Sequence, residues 1–362
     1  MKTVQAALSF FLPEKHIAWI VPVSGGNVND SYCVHLSSGG RFLLQRLNPS
    51  VFPEPGRVME NLQRVTAHLC REAQTTRMCS IQIPKMIQSP TGTAAFKDDS
   101  GSYWRLFTWI ENSRAIQVIE STNQGREIGR LLGCFHRLLM NFDPDTLHDP
   151  LPGFHKTTRY LQQYDQIKKG ESLSLESERQ CAAFIDAFRS REGILEDHRQ
   201  NLRSSLIHGD PKAANFLFAR NSDTAISLID LDTVMPGLLL YDLGDCLRSC
   251  CNSAGEEICN SSEILFSGEM FAALLSGYCD QALALLGEKD QELLVDAAFL
   301  ISFELGLRFF TDHLAGNQYF KVERQGQNLD RALNQLYLAA SIDKQRSTLD
   351  LLLQQVIIAA SR

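Results

Sequence analysis

The sequence predicts an α+β fold with two lobes, a small antiparallel-sheet lobe followed by a larger, mostly helical lobe. Apolar strand-like runs separated by short polar turns dominate the chain up to residue 110. From residue 121 onward, apolar residues recur at helical spacing instead. A chain of 362 residues is long enough for two such units. We therefore predict lobes at 1–110 and 111–362, with a hinge at about 107–112.

Composition narrows the choice of compartment and partners. Apolar residues make up 44% and charged residues 21% of the chain, as in ordinary globular proteins. The net charge of −7 argues against nucleic acid or an anionic membrane as the main partner. Ten scattered cysteines without a CxxC pair suit reduced thiols better than a disulfide framework. The apolar stretch 264–286 contains Glu269 and Asp280, which suits a buried helix rather than a membrane span. We expect a cytoplasmic protein.

The first lobe begins with a short helix at 3–12 and a strand–loop–strand unit. Strands are predicted at 17–23 and 32–36, and the loop between them contains Gly25, Gly26 and Asn27. Small residues allow backbone N–H groups to approach phosphate oxygens, so these three are candidate nucleotide contacts. An ordinary hairpin turn is the alternative, because the loop lacks the G-x-G-x-x-G pattern.

A cation for the nucleotide phosphates is expected on the third strand, at 41–47. This strand has no Lys, and Arg46 is the nearest cation inside it. Strand alternation could instead direct Gln45 inward, which would leave Arg46 as a surface charge. A helix is predicted from 53 to about 73. Its residue Glu60 could pair with the strand cation or could be a solvated charge.

The remaining predicted elements place a hinge between the lobes. Further strands are expected at 81–87 and 103–109. Trp109, Ile110 and Glu111 then lead into the second lobe, where a hinge strand could offer backbone groups to adenine. The second lobe is predicted to be helical at the following ranges: 121–139, 160–168, 177–197, 293–314 and 333–358, with a loop at 316–327.

The stretch 206–245 carries the chemistry: LIHGDPKAANFLFARNSDTAISLIDLDTVMPGLLLYDLGD. An apolar run leads to His208-Gly209-Asp210, Asn215 follows five residues later, and a second apolar run ends at Asp230. Phosphoryl transfer from a nucleotide uses this layout. Each loop would present its polar side chains at the edge of a short hairpin.

Each residue of this stretch has an expected role. Asp210 would accept the proton of the attacking hydroxyl. Asn215 and Asp230 would supply the oxygen ligands that Mg²⁺ requires. Lys212 could neutralise charge on the transferred phosphoryl group, and His208 is expected to brace the loop through hydrogen bonds. Taken singly each has a structural alternative, but the combination is specific.

These motifs resemble the aminoglycoside phosphotransferase and choline kinase superfamily, which has the protein-kinase-like fold. The resemblance extends over nearly the whole chain. Within the superfamily the sequence is most similar to N-acetylhexosamine 1-kinases. The following segments carry that similarity: GDPKAANFLF (209–218), LIDLDTVMPGLLLYDLGDCLR (228–248), ELGLRFFTDHLAGNQYF (304–320), NLDRALNQLYL (328–338) and LQRLNPSVFPEPGRVMENLQRVTAHL (44–69).

The resemblance implies transfer of the ATP γ-phosphate to the anomeric hydroxyl of an N-acetylhexosamine (GlcNAc or GalNAc), with Mg²⁺ as cofactor. It places Arg308, Asp312 and Tyr319 at the sugar site, together with Asp232. From the residues alone, an i, i+4 surface ion pair between Arg308 and Asp312 is the favoured interpretation. The expected partner is thus a small sugar, not a nucleic acid or a membrane.

Two alternatives remain open at this point. The acceptor could be another sugar, an aminoglycoside, choline or ethanolamine. A protein acceptor is disfavoured because no segment ending in Ala-Pro-Glu follows Asp230. The chain could also be an inactive kinase-fold binding protein, which the missing strand Lys favours. The complete set of Asp210, Asn215 and Asp230 argues against that alternative.

Overall fold

The computed structural model describes residues 2–23, 28–49, 51–75, 79–257 and 263–362. It confirms the α+β fold, with an antiparallel sheet at the N-terminal end and helices in the larger lobe. The sheet has the order β1-β2-β3-β6-β4, and β5 pairs with β6. Its strands are β1 (Ile17–Val23), β2 (Asp30–Leu36), β3 (Arg41–Arg46), β4 (Met86–Ile87), β5 (Phe96–Lys97) and β6 (Tyr103–Thr108).

The predicted strand at 81–87 is reduced to the two residues of β4. Pro84 has no N–H group to donate to a neighbouring strand, and the pairing with β6 begins only after it. The backbone before it bonds to the other lobe instead. Gln82 donates its N–H to Ile226 O at 2.7 Å and accepts from Ser227 Oγ at 2.7 Å. This segment is therefore a connection between the lobes.

Two helices accompany the sheet, α1 (Lys2–Phe11) and α2 (Pro55–Thr75). The buried face of α1 packs on the sheet and closes a small apolar core around Leu44 and Leu106. The apolar face of α2 points the other way and joins the core of the larger lobe. The helix α2 thus lies between the two lobes.

Five short strands form a platform in the larger lobe. The predicted hairpin of the chemistry-bearing stretch is confirmed as a pair of antiparallel strands, and β7 adds to its edge. A second two-stranded ladder flanks it, pairing β8 with β11. The strands are β7 (Ser113–Ala115), β8 (Ser204–Ile207), β9 (Phe216–Ala219), β10 (Ala225–Leu228) and β11 (Met235–Leu238). Because β7 belongs to this platform, the larger lobe has begun by residue 113. The boundary at 110/111 stays a prediction.

Eight helices surround the platform within the described residues. The predicted helix at 177–197 ends at residue 188 and continues as short 3-10 turns, whereas the last helix starts six residues earlier than predicted. The helices are α3 (Thr122–Leu139), α4 (Thr157–Lys168), α5 (Glu176–Phe188), α6 (Leu239–Cys250), α7 (Gly268–Ala282), α8 (Glu288–Glu292), α9 (Leu294–Leu314) and α10 (Gln327–Ala360).

Helices α3 and α7 cross with their backbones in close approach. A Cβ atom on Gly129 would lie 1.8 Å from Leu274 O, and one on Gly277 would lie 1.9 Å from Arg126 O. Only glycine permits this separation. Because α3 also contacts β8 and β10, the crossing supports the platform that carries the functional loops.

Two further observations concern the thiols and the helices. The nine described cysteines are free, as the scattered spacing predicted. Across the described ranges, no helix has both the length and the hydropathy that a bilayer crossing requires.

Candidate active site

Asp242, in the first turn of α6, fixes the backbone of the loop that follows β8. Its two carboxylate oxygens accept the N–H groups of His208 at 2.6 Å and Gly209 at 2.8 Å. The ring of His136 contacts the same carboxylate at 2.8 Å. Burial alone would raise the pKa of Asp242, but the hydrogen bond and charge of His136 outweigh it and lower the pKa. A buried anion therefore holds the backbone of the loop in place.

His208 braces the loop from within, as predicted. Its Nε2 donates to Ile229 O at 2.9 Å, and its Nδ1 accepts the N–H of Asp210 at 3.2 Å. These contacts fix the neutral tautomer, and burial lowers the pKa of the ring. Gly209 has a φ of +84°, and a Cβ there would lie 2.7 Å from Thr233 O. The tight turn that presents Asp210 therefore requires glycine.

Asp210, Lys212 and Asn215 lie together at the top of this loop. Lys212 Nζ donates to Asp210 Oδ2 at 2.7 Å, and Asn215 Nδ2 donates to the same oxygen at 3.2 Å. Asn215 Nδ2 also donates to Asp210 O at 2.8 Å. Its amide nitrogen thus faces Asp210, and its carbonyl oxygen remains available as a ligand. Burial would lower the pKa of Lys212, but the charge of Asp210 raises it, so Lys212 stays cationic.

Asp230 follows β10 with a left-handed backbone, φ +66°, and lines the same cleft as Asn215. Its side chain is exposed to the cleft. Desolvation and the neighbouring charge of Asp232 raise the pKa of Asp230 to about 7, although the positive charge of Lys212 acts to lower it. Among the described residues this carboxylate has no hydrogen bond or ion pair. An unpaired carboxylate beside an amide oxygen is a donor set that fits Mg²⁺.

A zinc-type centre is a different kind of metal site. No cluster of three His, Cys, Asp or Glu side chains suited to a metal occurs in the part of the chain that the structure describes. The Asn–Asp pair is thus the metal-binding candidate that this region offers.

A cavity of about 260 Å³ separates the lobes next to Asp230. Apolar side chains line both of its walls, including Leu43 above and Leu217 below. Trp109 and Ile110 of the connecting segment line its back, as predicted. Glu111 instead turns outward and forms an ion pair with Arg41. Gly25, Gly26 and Asn27, the predicted loop contacts, lie outside the described residues.

The structure corrects the prediction for Arg46. Its guanidinium points away from the cleft and pairs with Asp30, with Nε donating at 2.9 Å. Asp30 also accepts from Lys321 of the larger lobe at 3.1 Å. The alternation of β3 turns Gln45 into the cleft instead, where its amide donates to Ser31 Oγ at 3.0 Å.

The predicted pairing of Glu60 with a strand cation is also wrong. Glu60 lies on the outer face of α2, where its side chain is 54% exposed. It accepts a hydrogen bond from His148 Nε2 at 3.0 Å and lies 3.7 Å from Arg64. The apolar face of α2 packs against the larger lobe, and this orientation directs Glu60 to the surface.

Asp232 lines the cleft between the lobes, whereas Arg308, Asp312 and Tyr319 line a second cavity. Asp232 is buried, and it pairs with Arg105 of β6 through both carboxylate oxygens. Asn29 Nδ2, just before β2, donates to Asp232 Oδ2 at 2.8 Å. Sequence reasoning missed Arg105, although a lone arginine within the apolar run YWRLF was a usable signal.

A second cavity, of about 630 Å³, contains Arg308 and Tyr319. The Cζ atom of Arg308 lies 5.0 to 5.6 Å from four ring centroids, those of Phe154, Tyr160, Tyr319 and Phe320. Burial would lower the pKa of Arg308, but the neighbouring ionisable groups, first Tyr160 and Tyr319, raise it, so the guanidinium stays charged. We call this arrangement the arginine cage.

Asp312 anchors one wall of the second cavity. Its carboxylate accepts the backbone N–H groups of Gln318 at 2.9 Å, Tyr319 at 2.8 Å and Phe320 at 3.0 Å. Asn328 donates a fourth hydrogen bond at 3.0 Å. No ion pair with Arg308 forms within the described residues, so the predicted surface ion pair is wrong. Asp312 does line the second cavity, and its place at a sugar site stays a prediction.

Asp245 of α6 is a buried acceptor near the reacting group. Arg248 Nε donates to its Oδ1 at 2.9 Å, whereas its Oδ2 has no partner within the described residues. Burial raises the pKa of Asp245, and the charge of Asp210 adds to that effect. Asp245 belongs to the sequence segment YDLGD, but only the folded structure shows that its side chain is buried.

The fold and this acidic cleft together define a small-molecule phosphotransferase of the aminoglycoside phosphotransferase and choline kinase type. The family model for APH, the phosphotransferase enzyme family, matches residues 19–317. The chain belongs to this family.

Solved structures show the same fold along nearly the whole chain. An aminoglycoside phosphotransferase from Alicyclobacillus acidocaldarius is 17% identical, with a TM-score of 0.57, and the match covers 97% of this chain and 96% of that one. A choline kinase from Cryptosporidium parvum is 12% identical, with a TM-score of 0.61 and 99% of both chains covered. The amicoumacin kinase hAmiN, solved with AMP-PNP, Ca²⁺ and Ami, is 14% identical with a TM-score of 0.54, covering 96% and 92%.

Proposed function

We propose that the protein transfers the γ-phosphate of ATP to the anomeric hydroxyl of an N-acetylhexosamine, GlcNAc or GalNAc, with Mg²⁺ as cofactor. The position of Asp210 carries this proposal. Asn215 and Asp230 beside it line the cleft between the lobes, and Arg308 lies in the second cavity. In this proposal the cleft takes the nucleotide, the second cavity takes the acceptor, and Asp210 acts on the acceptor hydroxyl.

In the proposed reaction Asp210 accepts the proton of the acceptor hydroxyl. The hydroxyl oxygen forms a bond to the γ-phosphorus, the bond to the β–γ bridging oxygen breaks, and ADP leaves with that electron pair. Lys212 holds Asp210 in position and offers a cation close to the transferred group. The buried Asp242 keeps the loop rigid, so little reorganisation is needed during the reaction.

Asn215 and Asp230 are the residues that would hold magnesium. The ion would offset the charge of the phosphates and screen the carboxylates, which otherwise raise the pKa of Asp230. The similar amicoumacin kinase, solved with AMP-PNP and Ca²⁺, supports the use of a nucleotide and a divalent cation.

The arginine cage favours a neutral acceptor. In enzymes that recognise quaternary ammonium groups, aromatic rings surround the ligand's cation. Here four rings already surround Arg308, so a choline-like or aminoglycoside cation would meet a like charge. A neutral sugar can instead accept hydrogen bonds from the guanidinium of Arg308 without a like-charge contact. These features, and the resemblance of segment 304–320, support a sugar acceptor.

The test is an acceptor panel assayed for magnesium-dependent ADP release. The panel contains N-acetylglucosamine, N-acetylgalactosamine, choline, ethanolamine and an aminoglycoside. We expect turnover with the acetylated sugars, together with loss of the reducing-end signal, because an anomeric phosphate blocks ring opening. The methyl glycoside of N-acetylglucosamine is the matched control and should give no turnover. Turnover with choline alone would refute the sugar acceptor, and AMP-PNP binding without any turnover would favour an inactive binding protein.

The variant Arg308→Ala tests the assignment of the second cavity. We expect the KM for the sugar to rise about 10- to 100-fold while the KM for ATP changes less than about twofold, because only one substrate would contact this guanidinium. Arg179→Ala, at an exposed position of α5, is the control. Equal increases in both KM values would contradict a role confined to the acceptor.

A further inference from the structure

Arg105 is a buried cation in the wall of the cleft between the lobes. It lies on β6 opposite Gln45 of β3, and its side chain is 1% exposed. Burying a guanidinium is costly unless the charge is paired and hydrogen-bonded. A surface arginine would give the sheet the same backbone pairing without that cost. Its burial beside Asp230 therefore points to a use for the charge at this position.

Two side chains hold the guanidinium in one orientation. Asp232 accepts from Nη1 and from Nη2, the latter at 2.8 Å. Gln45 Oε1 accepts from Nε at 3.1 Å and from Nη2 at 2.8 Å. In the described part of the chain these four contacts occupy four of the five N–H groups of the guanidinium. One N–H group of Nη1 remains for a ligand.

Among the described residues of the small lobe, no other cation lines the cleft. Kinases of the protein-kinase type use a lysine of the third strand, paired with a helix glutamate, to bind the α- and β-phosphates. Here β3 presents Gln45, Arg46 faces solvent, and Glu60 of α2 is turned outward. Arg105 and Asp232 reproduce the cation and its counterion on different elements. Both residues line the cleft, together with Asn215 and Asp230.

We propose that Arg105 is the phosphate-binding cation of the nucleotide cleft and that Asp232 and Gln45 are its positioning residues. The inference rests on the nucleotide site of the proposed function and is independent of the acceptor. Asp232 stands two residues after the metal-binding candidate Asp230. The contact therefore links the cation of the small lobe directly to the metal-binding loop of the larger lobe, and Asn29 strengthens that link.

The chemistry of the pair suits this role. A guanidinium fixed on two sides offers its remaining N–H group in a defined direction, and a phosphate oxygen is its preferred acceptor. The counterion keeps the charge in place before the nucleotide arrives. Because the pair lies away from bulk water, the contact is screened little by salt.

The experiment compares the binding of AMP-PNP and of adenosine by calorimetry in the presence of Mg²⁺. In Arg105→Met we expect the affinity for AMP-PNP to fall about 10- to 100-fold, while the affinity for adenosine changes less than about twofold. Arg105→Lys should recover part of the loss, since it keeps the charge but not the bidentate geometry. Arg46→Met is the matched control and should bind both ligands like the wild type.

Removing Arg105 alone leaves Asp232 buried without its counterion, and that variant could fail to fold. The double variant Arg105→Met/Asp232→Asn removes both charges and should retain adenosine binding while losing AMP-PNP affinity by the same factor. An unchanged affinity for AMP-PNP, an equal loss for both ligands, or a loss in Arg46→Met would each overturn the inference. Wild-type protein that bound no AMP-PNP would instead refute the nucleotide site as a whole.

Discussion

At the scale of single residues, the two oxygens of Asp210 are not equivalent. Oδ2 accepts from both Lys212 and Asn215, so Oδ1 is the oxygen left to meet an incoming hydroxyl. This division explains why a general base can be held in place and still be accessible. The residues that position Asp210 contact its Oδ2, and the substrate would contact its Oδ1.

Replacing Asp210 by Asn is expected to lower kcat by about 10²- to 10⁴-fold, because an amide cannot accept the hydroxyl proton. Single-turnover kinetics and a binding titration with AMP-PNP separate this effect from nucleotide affinity, which should change little. Asp99→Asn, on an exposed turn of the small lobe, is the control. A variant that kept near wild-type turnover would show that another group acts as the base.

Glu196, outside the candidate site, makes the stability of the fold depend on pH in the acid range. It accepts hydrogen bonds from Arg199 at 3.0 Å and Lys156 at 2.6 Å, and also from Tyr241. Burial alone would raise the pKa of Glu196, but these donors lower it from 4.5 to about 2. A depressed pKa in the folded state stabilises the fold above the unfolded-state pKa. That stabilisation is lost as the pH falls from about 4.5 towards 2.

Glu196→Gln is therefore expected to lower the urea midpoint at pH 7. The difference from wild type should narrow at pH 3, where the wild-type carboxylate is losing its advantage. Glu14→Gln, on the exposed turn after α1, controls for the removal of one negative charge. A difference that stayed constant between pH 7 and pH 3 would contradict the assigned linkage.

The grouping of the candidate catalytic residues was predictable from sequence because they are local. Asp210, Lys212 and Asn215 belong to one loop, and a short hairpin returns the chain to Asp230. The buried pair of Arg105 and Asp232 was not predictable, since the two residues are 127 positions apart and their pairing exists only in the folded protein. Spacing along the chain cannot report which side chain of a strand meets a loop of the other lobe. The same reason explains the misplacement of Arg46 and Glu60.

At the scale of elements, the crossing of α3 and α7 depends on the absence of side chains. A methyl group on Gly129 would overlap the carbonyl of Leu274, which is part of a helix backbone and cannot rotate away. Gly129→Ala is therefore expected to lower the free energy of unfolding by roughly 1–3 kcal/mol, because the helices must separate. Urea denaturation followed by circular dichroism measures this change.

Gly56, in the first turn of α2, supplies the matched control. An added Cβ there meets no atom within 4 Å. Gly56→Ala should therefore leave stability unchanged or raise it by about 0.4–1 kcal/mol, through lower entropy of the unfolded chain. If both variants lost the same stability, close helix packing would not be the cause.

Hydrophobic periodicity predicted the ends of helices and strands correctly where the apolar residues pack within a single regular element. The strands at 17–23 and 41–47 and the helix at 293–314 were confirmed to within one residue. The pattern failed at 81–87, where the apolar residues pack between lobes, and at 177–197, where the α-helix ends nine residues early. Burial makes these segments apolar, and burial alone does not specify their secondary structure.

At the scale of the whole molecule, contacts across the cleft join the two lobes around the nucleotide site. The buried pair of Arg105 with Asp232 lies inside, and the exposed pair of Asp30 with Lys321 lies at the rim. A nucleotide bound between the lobes would add to these contacts in the folded state only. Binding should therefore stabilise both lobes together.

We expect AMP-PNP with Mg²⁺ to stabilise the protein by about 2.7 kcal/mol at a concentration about 100 times its Kd. Thermal unfolding should show one transition that moves upward as a whole. EDTA should reduce the shift, and Asp230→Asn should remove most of the dependence on Mg²⁺. Two transitions, of which only one moved, would indicate that the lobes bind and unfold independently.

The arginine cage has a consequence for the design of inhibitors. Four aromatic rings normally attract a basic amine, and a screen based on shape alone would select basic compounds for this cavity. Arg308 already occupies that environment, so a positive charge on the compound would meet repulsion instead of attraction. Compounds directed at the second cavity should therefore be neutral or anionic where they approach the rings, with hydrogen-bond acceptors placed for the guanidinium.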